Sequence, residues 1–262
     1  MKKLMTIFRF NMKKHTSLHS NFKKKRELVA TDGTVKFNNR KTNIDAKGKT
    51  NSSQKWLRRQ VNDPFANAAK IDGYLARSAY KLLEIQNKYR IFEPKIRTII
   101  DLGCAPGSWS QVILTNKQFA GKQVIGLDLL PVKFQHEDLH FIQGDFESAE
   151  VQKQLVAELK ELTGAKTKKA AKADCVICDI APNAIGNDEI DRLRSERILE
   201  TAMAFCGEHL AEGGHFVCKS IKGADRAIFE DMRRSFRFAH RFKPNSSRKD
   251  SSEIFLVGIS KK

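Results

Sequence analysis

The chain has 262 residues, enough for one folded domain of about 200 residues plus an appendage. Its hydrophobic content of 40% includes no apolar run near the ~18 residues of a bilayer span, which argues against a helical membrane protein. The net charge of +18 is lopsided, with 17 Lys/Arg against three Asp/Glu in residues 1–60 and only +4 left for the remainder. Residues 1–50, rich in Lys, Asn, Ser and Thr, bury too little apolar surface to offset their ordering entropy. They are expected to be a disordered basic extension, with residues 51–262 forming the folded domain. From Asp63 onward, helices alternate with β-rich runs. A helix is predicted over 73–89, with Tyr74, Ala79, Leu82, Leu83 and Ile85 broadly on one side. Strands are predicted at 97–102, 123–128, 139–142, 174–180, 214–219, 236–241 and 253–260, and helices near 107–119, 148–162, 189–211 and 224–235. Such alternation implies an α/β fold with a mostly parallel sheet covered on both faces. The last two runs are joined only by KPNSSRKDSS, too short for a helical crossover, so they should pair antiparallel. TGAKTKKAAKA, residues 163–173, reads as an exposed basic loop.

The richest stretch is DLGCAPGSWSQ, residues 101–111, where an apolar strand breaks into a Gly/Pro loop and then a helix. Gly103 and Gly107 remove side chains where backbone approaches a ligand, and Pro106 stiffens the loop. A strand end of an open α/β sheet is where such folds bind cofactors. The spacing is not G-x-G-x-x-G and lacks the Lys-Ser/Thr pair of a P-loop, so a cofactor without pyrophosphate fits better, and S-adenosylmethionine is one. Asp128 ends the second strand, where a carboxylate can accept hydrogen bonds from a cofactor ribose. Asp145 either accepts from an adenine amino group, with Phe146 against the ring, or caps the helix that follows. Trp109 is either core or a cover for the cofactor.

Other chemistries find less support. Cys175 and Cys178 form a C-x-x-C but lie inside the apolar run DCVICDI, which favours buried strand residues over zinc ligands. The seven histidines show no ligand spacing, and no metal is assigned. An odd count of five cysteines suits a reducing compartment, and the cytoplasm of a bacterium is expected. A mitochondrial presequence is disfavoured because lysine outnumbers arginine in residues 1–26. A nicotinamide oxidoreductase would want a different glycine fingerprint or a Tyr-x-x-x-Lys pair, and neither is present.

Taken in order, WLRRQVNDPF, LARSAYKLLEI, DLGCAPGSWSQ, GLDLLP, FIQGDF, DIAPN, GGHFVCKS and KPNSSRKDSSEIFLVG resemble the FtsJ/RrmJ family of ribosomal RNA 2′-O-methyltransferases. The resemblance runs from about Ser52 to Ser260. It implies a class I, S-adenosylmethionine-dependent methyltransferase fold of Rossmann-like type, with seven strands of which one is antiparallel. It also implies a catalytic Lys-Asp-Lys-Glu tetrad, which falls on Lys81, Asp179, Lys219 and Glu253, with Lys219 as proton acceptor. Family cofactor positions fall on Gly107, Trp109, Asp128, Asp145 and Asp179. The implied substrate is a uridine ribose in the A-loop of large-subunit ribosomal RNA, free or in an assembling large subunit, and a monomer is expected. The alternatives are another RNA, such as transfer RNA, or a non-catalytic assembly factor, which would predict decay of the tetrad. Ser108, Ser220-Ile221-Lys222 and Phe255 depart from the commoner family residues without removing a catalytic group.

The implied chemistry is alignment plus proton removal from a ribose hydroxyl. An ordinary lysine, near pKa 10.4, is protonated at neutral pH, so a base at this position needs a shift of roughly three units, about 4 kcal/mol. Lys81 as a like charge would lower the value, whereas Asp179 and Glu253 would raise it. Arg58, Arg59 and Arg77 are expected to grip RNA phosphates together with the basic extension.

Overall fold

The computed structural model describes residues 50, 53–54, 61–182 and 185–262. The expectations for residues 1–49 and for Arg58 and Arg59 lie outside these. The chain divides into two units, Met1–Pro64 and Phe65–Lys262, and the second carries the sheet. Six helices are described: α1 (Pro64–Asp72), α2 (Ser78–Tyr89), α3 (Ser108–Thr115), α4 (Ala149–Thr163), α5 (Asp188–His209) and α6 (Arg226–Ser235). The strands are β1 (Thr98–Leu102), β2 (Gln123–Asp128), β3 (Leu139–Gln143), β4 (Ala173–Cys178), β5 (Leu210–Ile221), β6 (Phe236–Phe242) and β7 (Glu253–Lys261).

They form one seven-stranded sheet in the order β3-β2-β1-β4-β5-β7-β6. All neighbours pair in parallel except β7, which runs antiparallel to both β5 and β6. The sheet therefore has the expected composition. The antiparallel strand is enclosed between β5 and β6, so it is last in the chain but not last in space. β5 starts four residues earlier than its apolar run, at Leu210, directly after α5. Its pairing with β4 shifts register between Ala173 and Cys175, which accommodates the Glu212-Gly213-Gly214 segment.

Because side chains alternate across a strand, each buried strand feeds two cores. On one face Ile99, Ile177, Val217 and Phe255 pack with α2 and α3. On the other, Ile100, Leu102, Val176 and Cys218 pack with α4, α5 and α6. Cys175 and Cys178 fall on opposite faces of β4 and both are buried, so the C-x-x-C spacing serves packing, as expected. Burial pushes the Cys178 thiol up to about 12.

The helix boundaries follow local chemistry. Asn187 caps α5, its side-chain oxygen accepting from Glu189 and Ile190 N–H at 3.1 Å each, and Asp188, Glu189 and Asp191 place negative charge in the first turn. Gly164 ends α4 in the left-handed conformation. Most of the TGAKTKKAAKA segment is exposed, including a short helical turn at Lys168–Ala170, while Ala171 and Ala173 are buried. Among the described residues, no helix is long and apolar enough to cross a membrane.

Candidate active site

The C-terminal ends of β1, β2 and β4 converge through their loops. Gly103 and Cys104 N–H groups both donate to Leu127 carbonyl, at 2.8 and 3.2 Å, while Asp179 N–H donates to Leu102 carbonyl at 2.9 Å. Gly103 has φ +77°, and a Cβ there would lie 2.7 Å from the Ile180 backbone nitrogen. Only glycine lets the β1 and β4 loops approach this closely. Asp128 then braces the loop: its Oδ2 accepts from Ala105 N–H and its Oδ1 from Leu130 N–H, each at 2.8 Å.

Above these strand ends lies a cleft of about 580 Å³. It is lined by Gly103, Asp128, Asp145, Phe146 and Asp179 from the sheet side, and by Arg194, Arg197 and Ile198 from α5. The structure thus brings together most of the predicted cofactor residues, with four refinements. Asp145 does not cap α4, whose cap is Ser148; its Oδ1 accepts from Glu147 N–H at 2.9 Å, closing a tight turn. Phe146 lines the cleft, but it is buried and its ring packs edge-on against Phe205 in the core, so it does not present an open stacking face. Trp109 is not at the cleft at all. Its indole is buried against Phe255, and its Nε1–H donates to Ser78 carbonyl at 2.8 Å, so the ring packs in the core. Gly107 likewise serves the helix start. At φ +102°, it precedes α3 where a Cβ would fall 2.6 Å from Phe134 Cβ.

The sequence reading missed the α5 wall and the rim leucines Leu129 and Leu130, whose relative exposures are 63% and 65%. Two exposed leucines at the rim of this carboxylate-bearing cleft offer apolar surface to a planar base. Arg197 pairs with Glu147 at 2.6 Å across the cleft wall. At 74% exposure of the arginine, that pair contributes at most ~1 kcal/mol.

The tetrad positions assemble beside the cleft as two ion pairs. Lys219 Nζ stands 3.0 Å from Asp179 Oδ1 and donates to the Asp179 carbonyl at 2.5 Å, with side-chain exposures of only 13% and 19%. The lysine's best-aligned acceptor is that carbonyl; the carboxylate Oδ1, buried and without a well-directed hydrogen bond, is held by charge. Lys81, on α2, pairs with Glu253 Oε2 at 2.6 Å. Its ammonium also lies 5.7 Å from the centroid of the Phe255 ring. Register explains the convergence: Lys219 opposes Phe255 and Ile221 opposes Glu253, so the lysine and the glutamate share the sheet face that α2 covers. Burial alone would raise Glu253, but the Lys81 charge, hydrogen bonds from Lys81 and Ser247, and the more distant Lys219 charge hold it below the usual carboxylate range.

Beneath the cleft lies a carboxylate that the sequence reading did not single out. Asp101 is fully buried in β1; Ser110 Oγ donates to its Oδ2 at 2.7 Å, while its Oδ1 has no hydrogen-bond partner. Burial, with Asp179 and Asp128 nearby, pushes it up to about 7 despite the Ser110 hydrogen bond. The clue available in sequence is a lone charge inside the wholly buried strand TIIDL.

The FtsJ-like methyltransferase family model matches residues 74–261, covering every strand, both ion pairs and the cleft. The chain belongs to the FtsJ-like methyltransferase family. Two relatives, each named ribosomal RNA large subunit methyltransferase E, come from Rickettsia conorii and Rickettsia typhi. Each is 38% identical over 222 residues, covering 83% of this chain and 92% of the relative. A crystal structure described as a ribosomal RNA methyltransferase from Plasmodium falciparum superposes with a TM-score of 0.62 at 30% identity, covering 72% of this chain and 98% of that one. The fold is therefore that of an FtsJ-like methyltransferase.

Proposed function

We propose that the chain transfers a methyl group from S-adenosylmethionine to the 2′-hydroxyl of a uridine ribose in the A-loop of large-subunit ribosomal RNA, late in subunit assembly. The observation that carries this reading is the convergence of the Lys81–Glu253 and Lys219–Asp179 pairs beside an acid-lined cleft at the strand ends. The names of the relatives support the ribosomal substrate.

The cleft suits this cofactor. Its lining carries four carboxylates, Asp128, Asp145, Glu147 and Asp179, against two arginines. That balance favours a cationic ligand over a pyrophosphate. Asp128 would accept from the ribose hydroxyls and Asp145, through its second oxygen, from the adenine amine, while Leu129 and Leu130 would offer apolar surface to the base. When bound, S-adenosylmethionine supplies a methyl group already activated by its sulfonium charge.

The protein's own work is positioning and proton management. Asp179 belongs both to the cleft and to the Lys219 pair, so it joins the cofactor site to the substrate site. Lys219 accepts the 2′-hydroxyl proton in its neutral form, its own ammonium proton having passed to solvent beforehand. Asp179 holds its amine at the end of the sheet, and Lys81 with Glu253 completes the polar wall against which the ribose is aligned.

The test is methyl transfer from labelled S-adenosylmethionine to large subunits and to naked RNA from a strain lacking this gene, with Lys219→Ala in parallel. Label on a 2′-O-methyluridine of the A-loop, absent with the variant, is the expected result. Label on transfer RNA would overturn the substrate and keep the chemistry. No transfer to any RNA despite cofactor binding would overturn the enzymatic reading in favour of an assembly factor.

A further inference from the structure

The segment between β6 and β7 is docked on one face of α2. Glu84 accepts from two consecutive backbone N–H groups of that segment, Asn245 at 2.6 Å and Ser246 at 2.8 Å. The Arg77 guanidinium donates to the Ser246 carbonyl. Arg77, Lys81 and Glu84 follow at helical spacings of four and three, so a single stripe of α2 reads both the loop and Glu253. The docking buries Ser246 and Ser247, at 0% and 6% exposure. Their two hydroxyls differ in use. Ser247 Oγ donates to Glu253 Oε1 at 2.7 Å, leaving Oε2 for Lys81 at 2.6 Å. Ser246 Oγ is buried without a hydrogen-bond partner.

We infer that Ser247 is a positioning residue for methyl transfer: held by the Glu84 clamp, it fixes the rotation of the Glu253 carboxylate so that Glu253 presents one oxygen to Lys81. A carboxylate with only one anchored oxygen turns about its terminal torsion, which is broad and roughly two-fold, and its partner ammonium follows it. With Ser247 on Oε1 and Lys81 on Oε2, both ends are fixed, and the Lys81 ammonium lies over the Phe255 ring of β7. The hydroxyl also donates to a charged acceptor, a bond stronger than one between neutral groups. The groups that face Glu253 are Lys81 and Arg77 from α2, Lys219 from β5 and Ser247 from the loop. Removing Ser247 leaves the cations in place and withdraws the one neutral donor.

This inference rests on the proposed methyl-transfer reading for its kinetic consequence, but its structural half is independent of substrate. The experiment pairs two readouts on the full chain: Glu253 carboxyl titration followed by carbon-detected NMR on the free protein, and turnover on large-subunit RNA as a function of pH. In Ser247→Ala, Glu253 should titrate at higher pH. Its kcat should fall about tenfold to a hundredfold with KM for S-adenosylmethionine unchanged, and the acid limb of the rate profile should move up. Ser247→Thr retains the hydroxyl and should restore all three. Ser246→Ala, which removes a hydroxyl without a partner, should match the wild type and show that loss of packing in the loop is not the cause. An unmoved Glu253 titration in Ser247→Ala would overturn the inference whatever the turnover. A moved titration with wild-type kcat would overturn the positioning role. If the wild type methylates no RNA, the functional reading fails by itself, and the titration still decides whether Ser247 governs Glu253.

Discussion

Lys81 and Glu253, separated by 172 positions in the chain, meet at 2.6 Å where α2 crosses the first residue of β7, and both side chains are largely shielded from water. Such a pair is weak evidence for stability as a unit, but removing one partner strands the other charge in a poor solvent. Lys81→Met should therefore destabilise the fold by about 3 kcal/mol, whereas Lys81→Met with Glu253→Gln should be markedly less damaged. Denaturant melts of the four proteins of the cycle measure this. Purely additive losses would show that the two groups do not interact.

The same pair sets an acid dependence. Glu253 is held below its unfolded value, so its contribution to stability is present above the ordinary carboxylate pKa of about 4.3 and is lost as pH falls through the lower folded value. The stability gap between the wild type and Glu253→Gln should be constant from neutral pH to about 5 and close below about 4. Thermal melts across that range test it, and a gap that widens in acid would contradict the assigned direction.

Much of this architecture was legible in the sequence for a physical reason. Each apolar run became a strand, and central ones such as TIIDL and DCVIC are almost continuously buried, which leaves a continuous apolar signature, whereas the edge strands β3 and β6 are only partly covered. The antiparallel pairing of β6 and β7 followed from loop length alone. The four ion-pair positions were readable because each lies in a family motif, Lys81 in α2, Asp179 just past β4, Lys219 in β5 and Glu253 at the start of β7. What stayed hidden depended on how helices cross the sheet. That Arg194 and Arg197 of α5 face the cleft, that Trp109 turns inward to Phe255, and that Ser247 reaches Glu253 are all tertiary choices that local pattern does not encode. Arg77 illustrates the same point. Sequence gives no sign that its guanidinium donates to the Ser246 carbonyl and lies 5.6 Å from the Phe65 ring centroid.

Asp128 makes a distinct prediction because its two oxygens brace two loops of the cleft, at Ala105 and Leu130, and it lines the cleft proposed for S-adenosylmethionine. Asp128→Ala should raise the S-adenosylmethionine Kd by at least tenfold, through loss of both the ribose acceptor and the bracing of Ala105 and Leu130. Asp128→Asn keeps one acceptor and should fall between. Calorimetric titration gives both values. Equal affinity in the wild type and Asp128→Ala would place the cofactor elsewhere.

The charge of residues 1–60 leads to a prediction about RNA binding. With +14 of the net charge in residues 1–60, deleting residues 1–50 should weaken RNA binding and flatten its dependence on salt. If the extension supplies most of six to ten phosphate contacts, full-length affinity should fall by about 10³ to 10⁵ between low and moderate salt, and the truncated chain should lose much less. An unchanged salt slope after truncation would assign the phosphate contacts to the folded domain.

Asp101 supplies the remaining prediction, and its sign is opposite to that of Glu253. Burial raises this carboxyl to about 7, with one oxygen on Ser110 and the other without a partner. Between about pH 4 and 7 the unfolded chain releases this proton while the native protein keeps it, so stability falls as pH rises through that window. Above about pH 7 both states are ionised and the loss is complete, with a ceiling of about 4 kcal/mol for a three-unit shift. Asp101→Asn removes the titration, and its amide oxygen can still accept from Ser110. The variant should therefore gain on the wild type steadily from pH 4.5 to pH 8, with the largest difference in melting temperature at the alkaline end. A difference that does not vary with pH would mean that Asp101 is ionised throughout, and that its unpartnered oxygen is stabilised by a group other than Ser110.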